Sequence, residues 1–213
     1  MKVREILVPK GKYNIKCPYA MKPEFIVVHN TANDATAEQE VTYMINNNAT
    51  TSFHYAIDDK EIIRSIPENR NAWHASDGAN GEGNRKGIAI EICYSKTGGK
   101  RFEEAEKLTA KFIAHKLMEY GWDISKVKKH QDFSGKYCPH RTLDLGWDRF
   151  LKMISDEYTL LLKKDKDQPS NWAKEAWEWG KNSGITDGTD PQGIATREQV
   201  ITMLYRFKNL GDK

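Results

Sequence analysis

Short apolar runs alternate with longer periodic segments along residues 1–162. Short runs rich in β-branched side chains are typical of strands, whereas apolar residues that recur every three or four positions are typical of amphipathic helices. The pattern predicts strands at 25–29, 53–58, 61–66 and 87–93, and helices that begin at 36 and cover 102–120 and about 145–162. Residues 69–86 are rich in Asn and Gly, which indicates a long loop, and long loops in compact domains are often functional.

Local signals mark several of these boundaries. Thr36 and Gln39 have the spacing of a capping box, in which two side chains bond to each other's backbone N–H groups at the start of a helix. The polar pair Asp59-Lys60 separates two strand patterns, which predicts a hairpin. Gly121 follows the helix predicted over 102–120, at the position where a left-handed residue commonly ends a helix. These signals favour an ordered domain that contains both strands and helices.

The strand predicted at 87–93 carries a carboxyl group among isoleucines. Ile88, Ile90 and Ile92 share one face of the strand, and Glu91 lies on the other. A carboxylate in such apolar surroundings is unusual, because burial of a charge costs free energy unless the charge is paired. Glu91 is therefore a candidate functional residue, with a surface salt bridge as the alternative.

Composition separates the end of the chain from the rest. Residues 163–169 (KKDKDQP) are charged or polar and end in proline, which is typical of a linker. Residues 170–213 have the pattern of a helix, a loop and a second helix, and this segment is too short for a robust independent core. We therefore expect a domain at 1–162, a linker at 163–169 and a small helical module at 170–213.

Composition and charge argue against several classes of protein. Hydrophobic residues make up 38% of the chain, and no apolar run approaches the roughly 18–20 residues of a membrane helix. The net charge of +3 is spread along the chain, whereas a nucleic-acid-binding protein usually has a concentrated basic stripe. The N-terminal segment has no continuous apolar stretch of signal-peptide length. We expect a chain made in the cytoplasm without a signal peptide, with neither a membrane nor a nucleic acid as partner.

The cysteines point to metal chemistry. Three cysteines, an odd and sparse number, argue against a disulfide framework. Cys138 follows His130 across a glycine-containing loop, so both side chains can turn onto one ion, and imidazole nitrogen and thiolate sulfur are the ligands that zinc prefers. His29, where an apolar strand meets a polar segment, is the best candidate for a third ligand. Each residue alone is more often structural, so spacing by itself leaves this ligand set open.

Four segments resemble the type 2 N-acetylmuramoyl-L-alanine amidase family. FIVVHNTA, TSFHYAID, GIAIEICY and HQDFSGKYCPHR follow the order and spacing of the family's motifs, over roughly residues 1–160. The family includes many phage endolysins and is related to peptidoglycan recognition proteins. The resemblance implies an α/β fold with a central mixed β-sheet flanked by helices, and the pattern at the C-terminus adds a small all-α helical hairpin.

The resemblance also implies roles for individual residues. The zinc ligands of the family fall on His29, His130 and Cys138, and a catalytic glutamate of close endolysin relatives falls on Glu91. A family lysine two residues before the cysteine falls on Lys136. The implied chemistry uses one zinc ion, with Glu91 as the acceptor of a water proton and Lys136 as a stabiliser of the tetrahedral oxyanion.

One position departs from the wider family. Phage lysozyme and recognition-protein relatives have a catalytic tyrosine where this chain has Phe53. Tyr55 lies two residues further along on the same strand face, and the sequence leaves its participation open. Trp73 and His74, in the loop over 69–86, are candidate substrate contacts, with a core position as the alternative for Trp73.

The C-terminal segment closely resembles one S-layer homology repeat, through NWAKEAWEWGKNSGITDG and ATREQVITMLYRF. Such repeats bind secondary polymers of Gram-positive walls and normally occur in threes. The resemblance therefore implies a wall polymer as partner. One repeat alone cannot bury its apolar face well, which favours a homo-oligomer formed through this module. The alternative is a helical hairpin that only packs on the amidase domain.

The function that the resemblance implies is hydrolysis of the amide bond between N-acetylmuramic acid and L-alanine in peptidoglycan, by a phage-type lytic enzyme that reaches the cell wall after release. A host autolysin is left open. Two further alternatives are a non-catalytic peptidoglycan-binding module and a cysteine hydrolase with Cys138 as nucleophile. Relatives that only bind peptidoglycan commonly lack the metal cysteine, which this chain retains.

Overall fold

The computed structural model describes residues 1–211, with residues 164–166 described by their backbone alone. The last two residues of the module predicted at 170–213 lie outside the described residues. The chain divides into two compact units, Met1–Tyr158 and Thr159–Lys213. The larger unit contains the sheet, and the smaller unit is helical.

A six-stranded mixed sheet forms the centre of the larger unit. Its strands are Arg4–Glu5 (β1), Phe25–Asn30 (β2), Tyr55–Ile57 (β3), Ile62–Arg64 (β4), Gly87–Ile92 (β5) and Val127–Lys129 (β6). They lie in the order β1-β4-β3-β5-β2-β6. Neighbouring strands are parallel except for the β3–β4 pair, which is the predicted hairpin. The predicted α/β class with a central mixed sheet is confirmed.

Helices connect and flank these strands. They are Tyr13–Lys16 (α1), Ala37–Asn46 (α2), Glu82–Lys86 (α3), Gly99–Tyr120 (α4), Gln131–Ser134 (α5), His140–Asp144 (α6) and Trp147–Lys166 (α7). Thr36 and Gln39 form the expected capping box at the start of α2. Gly121 ends α4 in the left-handed conformation, with φ of 66°. No helix among residues 1–211 combines the length and the apolar character needed to cross a bilayer.

The structure differs from the sequence pattern mainly at short elements. α3 lies inside the segment predicted as a loop over 69–86, and β1 and β6 carry no clear strand pattern because they have only two and three residues. α7 continues to Lys166, through the first residues of the predicted linker at 163–169. A run of charged residues is compatible with a helix as well as with a linker, since Lys is a good helix former and Asp costs a helix only about 0.7 kcal/mol relative to Ala.

The two central strands carry the core and aim functional side chains at one edge of the sheet. Side chains at 26–28 of β2 and 88–90 of β5 are inaccessible to solvent. The two strands pair in parallel with His29 opposite Glu91. In open α/β sheets, ligands bind beyond the carboxyl ends of the strands. This register therefore places a histidine and a carboxyl group side by side where a site is expected.

The smaller unit has two main helices and little buried surface. Lys174–Asn182 (α8) and Arg197–Lys208 (α9) match the predicted helical pair, and Thr196 with Gln199 forms the expected capping box. Trp172 is 90% exposed and Ile194 is 99% exposed. Exposed apolar groups mark an interaction surface where they form one contiguous patch.

A buried histidine, His54, links the hairpin to the central strand β5. Its Nδ1 accepts a hydrogen bond from Ala89 N at 2.9 Å, and its Nε2 lies 2.9 Å from Arg70 O, to which it donates. Because Nδ1 is an acceptor, this arrangement requires the neutral ring. Burial lowers the pKa of His54 to about 4, although the Arg70 carbonyl and Glu68 act in the opposite direction.

We expect His54 to make the larger unit sensitive to acid. Its folded-state pKa is below the value of about 6.5 in an unfolded chain, so the unfolded state binds more protons between these two values. Stability is fully present above pH 6.5 and is lost as the pH falls toward 4, by up to about 3 kcal/mol from this group. Urea unfolding of metal-free protein at several pH values measures this loss. His54→Asn, which keeps an acceptor without a titrating ring, should reduce the pH slope, and an unchanged slope would contradict the assignment.

Candidate metal centre and active site

Two histidines and a cysteine meet at the carboxyl end of β2. His29 lies on β2, His130 follows β6, and Cys138 lies between α5 and α6. One potential ligand atom from each residue lies within 4.8 Å of the others. Nδ1 of His29 is 3.9 Å from Cys138 Sγ, and the ring centroids of His29 and His130 are 4.7 Å apart. The three side chains are buried, so the fold brings together the residues that the sequence proposed as ligands.

Asn30, the last residue of β2, ties the cysteine loop to this strand. Its Oδ1 accepts hydrogen bonds from Arg141 N at 2.9 Å and from Thr142 N at 3.2 Å. Both donors lie at the start of α6, where backbone N–H groups have no partner within the helix. Because Asn30 adjoins His29 and α6 closely follows Cys138, these bonds hold the two ligand candidates next to each other.

Burial disfavours the charged forms of all three groups. It lowers the pKa of His29, and the neighbouring His74 and His130 act in the same direction. It also lowers the pKa of His130. Burial, followed by the charge of Glu91, raises the pKa of Cys138 to about 11. Neutral imidazole is the form that binds metal ions, and a thiol releases its proton when a metal binds.

The donor set fits a zinc ion. Two imidazoles and one thiolate suit zinc, and three protein ligands leave a fourth tetrahedral position for water or substrate. Nε2 of His130 is buried without a hydrogen-bond partner among residues 1–211. A buried polar atom without a partner costs free energy, and a metal ion bound to that atom would remove the cost. The cluster could therefore hold a metal ion in an arrangement typical of catalytic sites.

Glu91 lies beside this cluster and has an unusual environment. Its Oε2 is buried without a hydrogen-bond partner, and Glu91 makes no salt bridge within the described part of the chain. Burial raises its pKa to about 8, with Glu40 acting in the same direction and Lys136 in the opposite one. A carboxyl group whose pKa lies near neutrality can accept and release a proton at physiological pH, as acid–base catalysis requires.

Lys136 places a positive charge at the edge of the site. Its side chain is exposed, while Cys138 N donates a hydrogen bond to Lys136 O at 2.7 Å and fixes the backbone between them. The charge of Lys136 favours the ionised forms of Glu91 and Cys138. A cation at this position can interact with negative charge that develops on a substrate.

One cavity of about 550 Å³ connects all of these groups. A volume in this range suits a small-molecule-sized part of a substrate. The cavity is bounded by the ligand candidates, the carboxyl group and the lysine, together with residues of two loops: His29, Asn30, Thr50, Thr51, Trp73, His74, Ser76, Gly78, Ala79, Asn84, Glu91, His130, Lys136 and Cys138.

Trp73 and His74 both line this cavity, in different ways. Trp73 is half-buried, and its Nε1 donates to Ile15 O at 3.0 Å, so one edge of the ring is anchored while part of it stays accessible. His74 is buried, and its Nδ1 lies 3.0 Å from Nε2 of His29. The substrate role expected for the pair stays a prediction, and His74 contacts the metal cluster directly.

The remaining residues that the sequence left open lie outside the cavity lining. The hydroxyl of Tyr55 donates to Glu68 Oε1 at 2.6 Å. This carboxylate also accepts from the hydroxyl of Tyr120 at 2.6 Å, which makes a part-buried hydrogen-bond network. Phe53 is buried in the core. Cys17 and Cys93 are buried free thiols.

A buried lysine that the sequence analysis did not single out shapes one wall of the cavity. Lys16 Nζ donates to Asn47 Oδ1 at 2.9 Å and to Thr51 O at 3.2 Å, and it also bonds to Ala49 O. These acceptors belong to the loop that carries Thr50 and Thr51 to the cavity. The side chain is inaccessible to solvent. Its charge-assisted bonds help to fix this loop.

The fold and the site together define a class of protein: an α/β domain with two histidines and a cysteine at its strand ends, in an arrangement that could hold a metal ion. Residues 19–141 match the family model described as N-acetylmuramoyl-L-alanine amidase. This match covers more than half of the chain, and the chain belongs to that family. The matched residues end before 170, so the resemblance of the C-terminal segment to an S-layer homology repeat stays a prediction.

Individual relatives agree with this assignment. The chain is 59% identical over 135 residues to N-acetylmuramoyl-L-alanine amidase CwlA of Bacillus subtilis (strain 168), a match that covers 63% of this chain and 50% of the relative. It is 57% identical over 133 residues to the amidase XlyB of the same organism, covering 62% and 42%. The solved structure of PlyL is similar with a TM-score of 0.70 and 52% identity, and the likeness covers 72% of this chain and 97% of PlyL. The matched segment thus spans about half the length, or less, of the two curated relatives.

Proposed function

We propose that this protein is a zinc-dependent N-acetylmuramoyl-L-alanine amidase that hydrolyses the amide bond between N-acetylmuramic acid and L-alanine in bacterial peptidoglycan, in the manner of a phage-type endolysin. The observation that carries the proposal is the convergence of His29, His130 and Cys138 within 4.8 Å at one end of a cavity that Glu91 also lines. The names of the relatives support the same substrate.

The proposed metal ligands are His29, His130 and Cys138. When bound, one zinc ion supplies Lewis acidity to the substrate carbonyl and increases the acidity of water in the site. Thiolate coordination donates charge to the metal and weakens its Lewis acidity. A nearby cation compensates for this weakening, and Lys136 lies in position to act in that way.

Glu91 is the proposed proton carrier. Its unpartnered Oε2 is free to accept a proton from attacking water, and the protonated carboxyl group then donates to the nitrogen of the leaving L-alanine. Burial raises the pKa of Glu91, while the positive charge of Lys136 favours the ionised form that accepts a proton. Lys136 is proposed to stabilise the negative charge that develops on the amide oxygen.

Trp73 is the proposed contact for the glycan or the stem peptide. Its anchored ring lines the cavity, and a fixed aromatic face suits the apolar faces of sugars and peptide side chains. The sequence also suggested His74 as a substrate contact. His74 lines the cavity too, but its Nδ1 is occupied by a hydrogen bond with Nε2 of His29.

Digestion of purified Gram-positive cell walls tests the activity. The zinc-loaded protein should release new amino termini of L-alanine without new reducing sugar ends, since amide cleavage produces only the former. Protein that binds zinc and walls but releases no amino termini would be the non-catalytic recognition module instead.

The predicted module at 170–213 is proposed to bind a secondary polymer of the Gram-positive wall. Its support is the resemblance to an S-layer homology repeat and the exposure of large side chains on the smaller unit, among them Trp172, Ile194 and Tyr205. The same exposed groups support association of several copies through this module. Sedimentation of the full chain should then show species larger than the monomer.

Removal of residues 170–213 is expected to weaken wall binding while the metal site stays intact. The larger unit contains the sheet and the ligand cluster, so zinc content and hydrolysis of small soluble fragments should not change. Cosedimentation with whole walls compares the truncated and full chains. A full-length Trp172→Ala variant serves as the matched control, because it alters the module without shortening the chain. Equal wall binding by all three proteins would refute the role assigned to the module.

A further inference from the structure

The two nitrogens of His29 face different neighbours. Nδ1 faces Cys138 Sγ at 3.9 Å, inside the ligand cluster. Nε2 faces His74 Nδ1 at 3.0 Å, and the two ring planes are nearly perpendicular, at 88°. His29 therefore has one nitrogen available to a metal ion and the other engaged by a second histidine.

This arrangement determines where the protons lie when the cluster is occupied. A histidine nitrogen that binds a metal carries no proton, so the proton of His29 must be on Nε2. Nε2 then donates to His74 Nδ1, which must be the acceptor. The proton of His74 is then on Nε2, an atom that is buried without a hydrogen-bond partner among the described residues. Partners of this kind orient a ligating histidine and increase its basicity.

The buried side chain of Asn84 bonds directly to the backbone of His74 and its neighbour. Its Oδ1 accepts hydrogen bonds from His74 N at 2.7 Å and from Ala75 N at 2.8 Å. Its Nδ2 donates to Gly78 O at 3.0 Å, which closes the loop between them. Asp77 completes this clamp, since its carboxylate accepts from Gly83 N at 2.7 Å. A loop tied at so many points can hold the His74 ring at a constant distance from His29.

His54 provides a contrast within the same region. Its ring lies 6.4 Å from that of His74, centroid to centroid, and both of its nitrogens are engaged by backbone groups. It contacts none of the three ligand candidates through a hydrogen bond. Two buried histidines thus lie close together, but only His74 is bonded to the metal cluster.

We propose that His74 is a positioning residue that fixes the ring orientation and tautomer of His29 as a metal ligand, and that Asn84 holds His74 in place for this task. The proposal rests on the metal site of the proposed function. It concerns this chain's affinity for zinc, which can be measured without any assay of hydrolysis.

Zinc affinity of full-length variants tests the proposal. His74→Leu removes the acceptor and should weaken zinc binding by about 10- to 100-fold, the range for loss of a partner behind a metal ligand. His74→Asn places an amide oxygen near the position of Nδ1 and should restore most of the affinity. Competition with a chromophoric chelator at pH 7.5 gives the dissociation constants. The absorption spectrum of the cobalt-substituted protein should shift in His74→Leu and return toward the wild-type spectrum in His74→Asn.

Two controls separate positioning from general damage. His54→Asn also alters a buried histidine and should leave zinc affinity within the error of the wild type. If His74→Leu does not fold, His74→Gln replaces it in the comparison, because Gln moves the acceptor one carbon further out and should bind zinc more weakly than His74→Asn. Asn84→Ala should weaken zinc binding in the same direction as His74→Leu, since it releases the loop.

The outcomes distinguish this inference from the proposed function. If the wild-type protein binds no zinc, both the proposed metal-dependent function and this inference are refuted. Wild-type protein that binds one zinc ion, with equal affinity in the folded His74 variants, overturns the inference alone. Ranked affinities, with the wild type and His74→Asn above His74→Leu or His74→Gln, support it.

Discussion

Replacement of Glu91 by Gln is expected to reduce the hydrolysis of peptidoglycan by about 10²- to 10⁴-fold, the usual contribution of a general acid–base group. Gln keeps the size of the side chain and its place on β5 but cannot take up a proton. Because the carboxyl group is not one of the three ligand candidates, zinc content should stay at the wild-type level. Release of amino termini from purified walls, measured beside the zinc-to-protein ratio, gives both quantities.

Glu40→Gln is the matched control for this change. Glu40 is also a partly buried carboxyl group with an unpartnered oxygen, but it does not line the cavity. Its charge contributes to the raised pKa of Glu91, after burial. Its removal should therefore lower the pKa of Glu91, keep the activity near neutral pH and extend it toward lower pH. If Glu91→Gln retained wild-type rates, the proton carrier would have to be another group.

Replacement of Cys138 by Ala is expected to abolish both stable zinc binding and hydrolysis. The change removes one of the three proposed protein ligands. Loss of a residue that only hydrogen-bonds to a ligand typically weakens metal binding by about 10- to 100-fold, so the loss of zinc affinity here should be larger than that. Metal analysis after gel filtration and chelator competition measure the loss. Cys17→Ala, which removes a different buried thiol, should bind zinc as the wild type does.

Chelation separates metal chemistry from thiol chemistry at the same residue. A metal-dependent amidase loses its activity in the presence of a strong chelator and regains it when zinc is added in excess. A hydrolase that uses Cys138 as nucleophile keeps its activity after complete removal of metal and loses it on alkylation. The raised pKa of the Cys138 thiol, about 11, disfavours a free thiolate and so argues against the nucleophile.

Much of the fold follows from local patterns of apolar residues and from helix-end signals in the sequence. The apolar run before His29 and the alternation around Glu91 predict the two central strands, because a pleated strand repeats every two residues. The capping box at Thr36 and the glycine at 121 mark helix ends because their side-chain or backbone chemistry is specific to such ends. The short strands β1 and β6 were missed, since two or three positions without a longer apolar run around them cannot establish a period.

The candidate ligand set came from a resemblance more than from spacing. His130 and Cys138 lie close in sequence, but His29 is 109 positions from Cys138. No local pattern joins residues so far apart. The parallel pairing of β2 with both β5 and β6 brings them together, because it aligns the carboxyl ends of three strands at one edge of the sheet.

The sequence by itself determined the family and the α/β class, and it predicted which residues carry metal and acid–base chemistry, because these depend on residue type within short motifs. Only the tertiary structure decided what those residues touch. In the structure the hydroxyl of Tyr55 donates a hydrogen bond to Glu68, and a ring nitrogen of His74 lies within hydrogen-bond distance of His29. The side chain of Asn84 accepts a hydrogen bond from the backbone of His74. Such contacts depend on strand register and on the course of loops, which arise from packing across the whole domain and leave no periodic trace along the chain.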